Sequence, residues 1–184
     1  WLQWCLKGVA QPDGFKFRLA KVPAPDRPGQ IWQSDITYLE TQEGWLYLAF
    51  TLDACSRKVV AHHCGDDLSA ALVTTTFTRA RQRQVIPPGL IHHSDRGCQY
   101  ASSAFRLQLA LHHVTPSMSR SGNPYDNALA ESFVATLKTE CFGGSLPQDK
   151  RAAHLMVFDY IEGFYNTRRK HSAMTVSLIQ WHRL

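Results

Sequence analysis

The sequence predicts an α/β protein: a mixed five-stranded sheet, three antiparallel strands followed by βαβ units, flanked by helices. Three observations predict it. Apolar, β-branched stretches at 31–39, 45–52 and 57–64 are separated only by the turn-like TQEG and DACS, which suits an antiparallel meander. A helical pattern then runs to a stop at Pro87, Pro88 and Gly89. Beyond that stop, short apolar strand signals alternate with helical ones, as crossovers to parallel strands require.

In chain order, residues 1–30 lack sustained periodicity and read as a linker, kept extended at its end by Pro23, Pro25, Pro28 and Gly29. After the three-strand meander, Ser69 can cap a helix whose Val73, Phe77 and Ala80 share one face. Leu90 to His93 is short and apolar, as expected of a buried strand. A second helix near Ser103 to Leu111 leads to a fifth strand around His113 to Thr115. The serine-rich stretch from Pro116 to Asn127, with Gly122, predicts a mobile loop, and Asn123 with Pro124 reads as the cap and first residue of the next helix. On that helix Asn127, Glu131 and Lys138 fall on nearly one face, with Phe133 and Leu137 turned to the core. Past Gly143 and Gly144, a last helix ends in a basic tail, with Leu155, Phe158, Ile161 and Tyr165 as its buried side. The domain organisation expected is a 1–30 linker, a 31–145 core and a 146–184 helical extension of that core.

Composition narrows the function classes without choosing one. The chain has 184 residues, 44% hydrophobic and 11% aromatic, enough for one domain with a real core. A formal net charge of +5 favours an anionic partner. Five cysteines without small-domain spacing suit free thiols in a reducing cytoplasm. No apolar run approaches the length of a membrane span, and no signal peptide opens the sequence, so a cytoplasmic protein is expected. Cys55, His62, His63 and Cys64 lack the pairing of a structural zinc site, and strand alternation sends His62 and His63 to opposite faces. Nothing resembles a phosphate-binding loop.

Three carboxylates carry the chemistry. Asp35 lies inside the strand IWQSDITYL, where burial of a carboxylate costs free energy unless a cation or hydrogen bonds offset it. Asp95 opens a turn after a strand in LIHHSDRG, and Glu131 stands mid-way along the helical PYDNALAESFVATLKTE. Taken singly, a strand-edge charge, a turn aspartate and a solvated helix glutamate are common. Together, strand, strand end and helix can converge on a magnesium or manganese site of oxygen ligands.

The blocks WQSDITYL, GWLYLAFTLDACSRKVVAHH, HHSDRGCQYAS, SMSRSGNPYDNALAESFVATLKTE and YIEGFYNTRRKHS resemble the DDE transposases of bacterial insertion sequences. The nearest group is the insertion-sequence-3 group, whose second reading frame encodes a domain similar to retroviral integrase. The resemblance covers about residues 15 to 175 and implies a ribonuclease H-like architecture. It places the catalytic, metal-binding triad on Asp35, Asp95 and Glu131, and a basic residue seven positions after the glutamate on Lys138. Two Mg²⁺ or Mn²⁺ ions would serve DNA cleavage and strand transfer, through a circular intermediate of the element. Candidate DNA contacts are Lys138, Asn127, Arg120, Arg168, Arg169 and His171; the last two belong with Tyr165 and Asn166 to a family motif. His93 is a further candidate for touching DNA or a water. Partners implied are transposon ends and target DNA, a homo-oligomer assembled on DNA, and an upstream helix-turn-helix region in the full-length protein; the location implied is the bacterial nucleoid. The chain departs from the family at Cys98, where a small hydroxyl residue is usual, and in the final AMTVSLIQW, where glycine and proline are usual. A ribonuclease H-like nuclease without joining activity and a non-catalytic DNA-binding remnant are the alternative readings.

Overall fold

The computed structural model of the chain describes residues 22–119 and 124–170. Arg120, His171 and, of the segment expected to be a mobile loop, residues 120–123 lie outside the described residues.

The central strand pair sets the architecture. β1 (Ile31–Thr41) and β2 (Gly44–Asp53) form an antiparallel hairpin, and β3 (Val59–Gly65) pairs antiparallel with β2. α1 (Ala70–Arg83) then crosses the sheet to β4 (Ile91–Ser94), which runs parallel to β1. A single turn, α2 (Cys98–Ala101), and α3 (Ser103–Leu111) lead to β5 (Thr115–Met118), parallel to β4. The sheet order is β3-β2-β1-β4-β5. A tight 3₁₀ turn at Pro124–Asn127 precedes α4 (Ala128–Leu137), whose end widens into a π turn at Lys138–Phe142; α5 (Lys150–Phe158) ends likewise at Asp159–Tyr165. This is the expected ribonuclease H-like arrangement of five strands between helices.

Strand alternation divides the apolar residues between two cores. On one face, Leu39, Leu48, Phe50 and Leu52 pack against Phe133 and Leu137 of α4 and Ala153 and Val157 of α5. On the other, Trp32, Ala49 and Ala61 meet Val73, Phe77 and Ala80 of α1, with Phe105 and Leu109 of α3. β2 is buried on both faces, which is why it reads as a continuous apolar run. Phe133 locks α4 to the sheet, 4.6 Å from the Phe50 ring and 4.9 Å from that of Tyr165. Burying such a side chain is worth about 1.5–3 kcal/mol.

Four local expectations are corrected. The third strand starts at Val59 rather than Arg57, because Asp53 folds the intervening residues into a turn: its Oδ1 accepts the N–H groups of Cys55 and Ser56, and Arg57 takes a φ of 63°. The same carboxylate's Oδ2 accepts the N–H of Gly29 at 2.6 Å. Gly29 has a φ of 82°, and a Cβ there would strike the ring of Pro87, so only glycine fits. The fifth strand is displaced to Thr115–Met118, since His113, at a φ of 55°, still belongs to the exit from α3. Pro116 is tolerated because β5 is an edge strand. The first residues after Pro124 form a 3₁₀ turn, so the α-helix begins only at Ala128. Finally, α5 turns Ala153 and Val157 inward, leaving Leu155 at 52% and Phe158 at 45% exposure. The π turn then shifts the phase, so Tyr160, Ile161 and Tyr165 are all buried.

Candidate active site

The parallel register places the two aspartates side by side. β1 and β4 pair from Ile31↔Ile91 to Ser34↔Ser94; Asp35 is the next residue of β1, and Asp95 is the first residue past the end of β4. Alternation fixes their face. Trp32, opposite His92, belongs to the α1 side, while Gln33, opposite His93, turns toward the start of α4, and Asp35 follows Gln33 by two.

The segment leading into α4 is tied to that seam by long-range bonds. The Asp126 carbonyl accepts from Gln33 Nε2 at 3.4 Å and lies 3.1 Å from His93 Nε2. The next residue, Asn127, donates from Nδ2 to Asp35 Oδ2 at 2.9 Å. Asn127, expected to meet DNA, here turns its amide onto the Asp35 carboxylate, with its Oδ1 buried without a partner. His93, a candidate for touching DNA or a water, is buried in this structure, with Nδ1 2.9 Å from Ser117 Oγ and Nε2 3.1 Å from Ser119 Oγ. Burial lowers its affinity for a proton, so the ring is a neutral strut.

The aspartates hold protons more tightly than usual. Burial, then the Asp95 charge, push Asp35 up from 3.8 to about 6, with a smaller push from Glu131. The Ile36 N–H at 2.8 Å from Oδ1 and the Asn127 amide act in the opposite sense. Asp95 is also raised by burial, against a bond from the Gly97 N–H to Oδ1 at 3.0 Å. A Cβ on Gly97 would lie 3.0 Å from that same oxygen. Tyr100 is not singled out by sequence, although it lies in the block HHSDRGCQYAS. Its hydroxyl is buried with no partner, and after burial itself the charges of Asp35 and Asp95 most strongly oppose its ionisation. It is a permanent donor within electrostatic reach of both carboxylates.

Glu131 sits in the first turn of α4, exposed, and adds its charge to the same locality. Among the described residues, no three histidines, cysteines or carboxylates close to metal-ligating distance. The donor set nonetheless suits a hard divalent cation: oxygen ligands only, with two half-buried charges that repel and resist ionisation. Lys138 is exposed where α4 widens into its π turn, and it lines a cleft of about 290 Å³. Arg168 is exposed beyond the last turn. Arg169 is already engaged, with Nε and Nη2 about 2.9–3.1 Å from the Glu140 carboxylate and the guanidinium over Tyr165. Asn166 clips the same helix end to β3, accepting from the Val59 N–H at 2.8 Å and donating to its carbonyl at 3.0 Å.

Two family models, both described as integrase core domain, match residues 25–124 and 112–176. The transposase for insertion sequence element IS904 of Lactococcus lactis subsp. lactis (strain IL1403) is 42% identical over 147 residues, covering 80% of this chain and 58% of the relative. The transposase InsF for insertion sequence IS3A of Escherichia coli (strain K12) is 43% identical over 145 residues, covering 79% and 50%. The chain thus spans about half the length of the curated relatives it matches. Among solved structures, a simian T-cell lymphotropic virus intasome in complex with PP2A regulatory subunit B56 gamma gives a TM-score of 0.65 at 18% identity, over 91% of this chain and 59% of the other. The HTLV-2 integrase catalytic core domain in complex with magnesium (dimeric form) gives 0.58 at 19%, over 79% and 92%.

Proposed function

The chain belongs to the integrase core domain family, and from that premise we propose that it is the catalytic core of an insertion-sequence transposase, cutting and joining DNA strands. The observation that carries the reading is the pair Asp35 and Asp95 at the open end of the β1/β4 seam, beside the start of the helix that bears Glu131. In this reading Asp35 with Asp95 would hold one divalent ion and Asp35 with Glu131 a second. Two magnesium or manganese ions, when bound there, would supply Lewis acidity toward the attacking and leaving oxygens of the scissile phosphate. The complex of the HTLV-2 integrase core with magnesium supports that choice of metal.

The chain's own residues then have separate tasks. Asn127 and the Ile36 N–H fix the Asp35 carboxylate, and the Gly97 N–H fixes that of Asp95. Lys138, seven residues past Glu131 and about 10 Å along the helix, meets a flanking phosphate, with Arg168 as a second contact. The reaction exchanges one P–O bond for another. Water as nucleophile frees a 3′ hydroxyl at the element end, and that hydroxyl next attacks a second phosphodiester in line, so no nucleotide is consumed. The reading carries with it a 31–145 core extended by 146–184, action on element ends and target DNA at the nucleoid, and assembly of several copies on DNA, a property suggested by the similarity to a viral intasome. Among the described residues no helix is long and apolar enough to cross a membrane.

The test is to incubate the whole reading frame with a labelled element end and Mn²⁺. Cleaved and joined products are expected, and both vanish in a folded Asp95→Asn variant. Cleavage without joining would favour a nuclease, and no product from the unaltered protein would overturn the proposal.

A further inference from the structure

β4 pairs with β1 only as far as Ser34, so among the described residues the remaining edge of β1 carries no neighbouring strand. A cleft of about 290 Å³ lies along the far end of that strand, lined by Tyr38, Glu40, Trp45, Lys138, Phe142 and Leu146, among others. Its chemistry is mixed. Trp45, the second residue of β2, is 50% exposed, and Tyr38 is 44% exposed. Tyr38 stands edge-on to both Trp45 and Tyr47, with ring centroids 6.3 and 5.2 Å apart, which braces the indole from one side. Glu40 is the cross-strand partner of Trp45, and Lys138 supplies a cation.

We propose that this cleft holds one unpaired nucleotide of the DNA substrate, its base stacked on Trp45, its amino group on Glu40 and its phosphate on Lys138. The proposal rests on the DNA-joining function above. Its volume sits at the bottom of the range for small-ligand sites, roughly 300–1,000 Å³, which suits one nucleotide and excludes a duplex. An aromatic ring beside a cation is what single-stranded DNA needs, because every base offers a π face and every link a phosphate. A carboxylate accepts from the exocyclic amino groups of adenine, cytosine and guanine, whereas thymine has no amino group and offers only its N3–H. Cutting and joining leave strand ends that require such a place, and Lys138 is about 10 Å along the helix from Glu131.

The experiment compares binding of the 184-residue chain to a blunt duplex and to the same duplex with a short single-stranded tail of dA, dC or dT, by fluorescence anisotropy. The tail should strengthen binding, more for dA and dC than for dT. Trp45→Ala should remove that gain, about fivefold to a hundredfold for one stacked base. Trp45→Phe should keep most of it, and Glu40→Ala should erase the preference over dT. A tail that adds nothing while the blunt duplex binds would overturn this site alone, as would a gain that survives Trp45→Ala within twofold. Absence of binding to either DNA would overturn it together with the function on which it rests. Loss of a DNA-free dimer in Trp45→Ala, with the tail gain intact, would instead make the cleft a protein contact.

Discussion

Replacing Asp35 by asparagine should stabilise the metal-free protein while abolishing its chemistry. In the folded chain this carboxyl keeps its proton to about pH 6, whereas the ordinary value is 3.8, because burial and the Asp95 charge oppose ionisation. Between those values the unfolded state binds fewer protons, so stability falls as pH rises through the window and stays lowered above it. About two pH units at 1.36 kcal/mol each amount to roughly 3 kcal/mol at pH 8. Asparagine removes that charge. Its carbonyl can keep the Ile36 N–H, and the unpartnered Oδ1 of Asn127 can rotate to accept from the new amide. Exchanging charged for neutral hydrogen bonds costs about 1 kcal/mol, leaving a net gain of about 2 kcal/mol. For a domain of this size that raises Tm by about 4–8 °C. Thermal unfolding in a chelator at pH 8 measures it, and the gain should vanish near pH 4.5, where most of the penalty is absent. Equal or lower stability of Asp35→Asn at pH 8, or a gain independent of pH, would refute the reasoning.

Phe133→Ala removes the ring packed between Phe50 and Tyr165 and should cost about 3–5 kcal/mol by chemical denaturation. Gly97→Ala puts a methyl 3.0 Å from Asp95 Oδ1, so DNA joining should fall about tenfold or more while Tm moves by only a few degrees, since one hydrogen bond is worth about 1 kcal/mol. DNA binding by the chain should weaken steeply with salt and barely distinguish an element end from scrambled DNA, and Lys138→Ala should weaken both alike. Arg168→Ala should reduce that binding more than Arg169→Ala, whose guanidinium is held by Glu140.

What the sequence discloses depends on the range of the interaction that carries it. Short-range patterns are legible: the apolar β-branched strands, Ser103–Leu111 as a helix, and the shared face of Val73, Phe77 and Ala80 all describe the folded chain. Errors arise where regular periodicity ceases. The π turn at Asp159–Tyr165 shifts the phase of the last helix, and the 3₁₀ turn at Pro124–Asn127 delays the start of α4. The place of β5 is misread because Pro116 resembles a breaker, and only its edge position makes it harmless. In the site, the resemblance picks out Asp35, Asp95 and Glu131, and the register of β1 against β4 is what sets the two aspartates side by side. Asn127 on Asp35, His93 near the Asp126 carbonyl and the orphan hydroxyl of Tyr100 join residues far apart in sequence, and no local pattern signals them.

The central claim is that these carboxylates join DNA strands as well as cut them. Joining can run in reverse, which allows a test that requires no element-end recognition: a branched DNA resembling the joined product, incubated with the chain and Mn²⁺. The 3′ hydroxyl at the branch should attack the neighbouring phosphodiester, resealing one strand and releasing the other, and the Asp95→Asn chain should leave the branch intact. Release of the arm by hydrolysis, with no resealed strand, would contradict the account and leave a nuclease in its place.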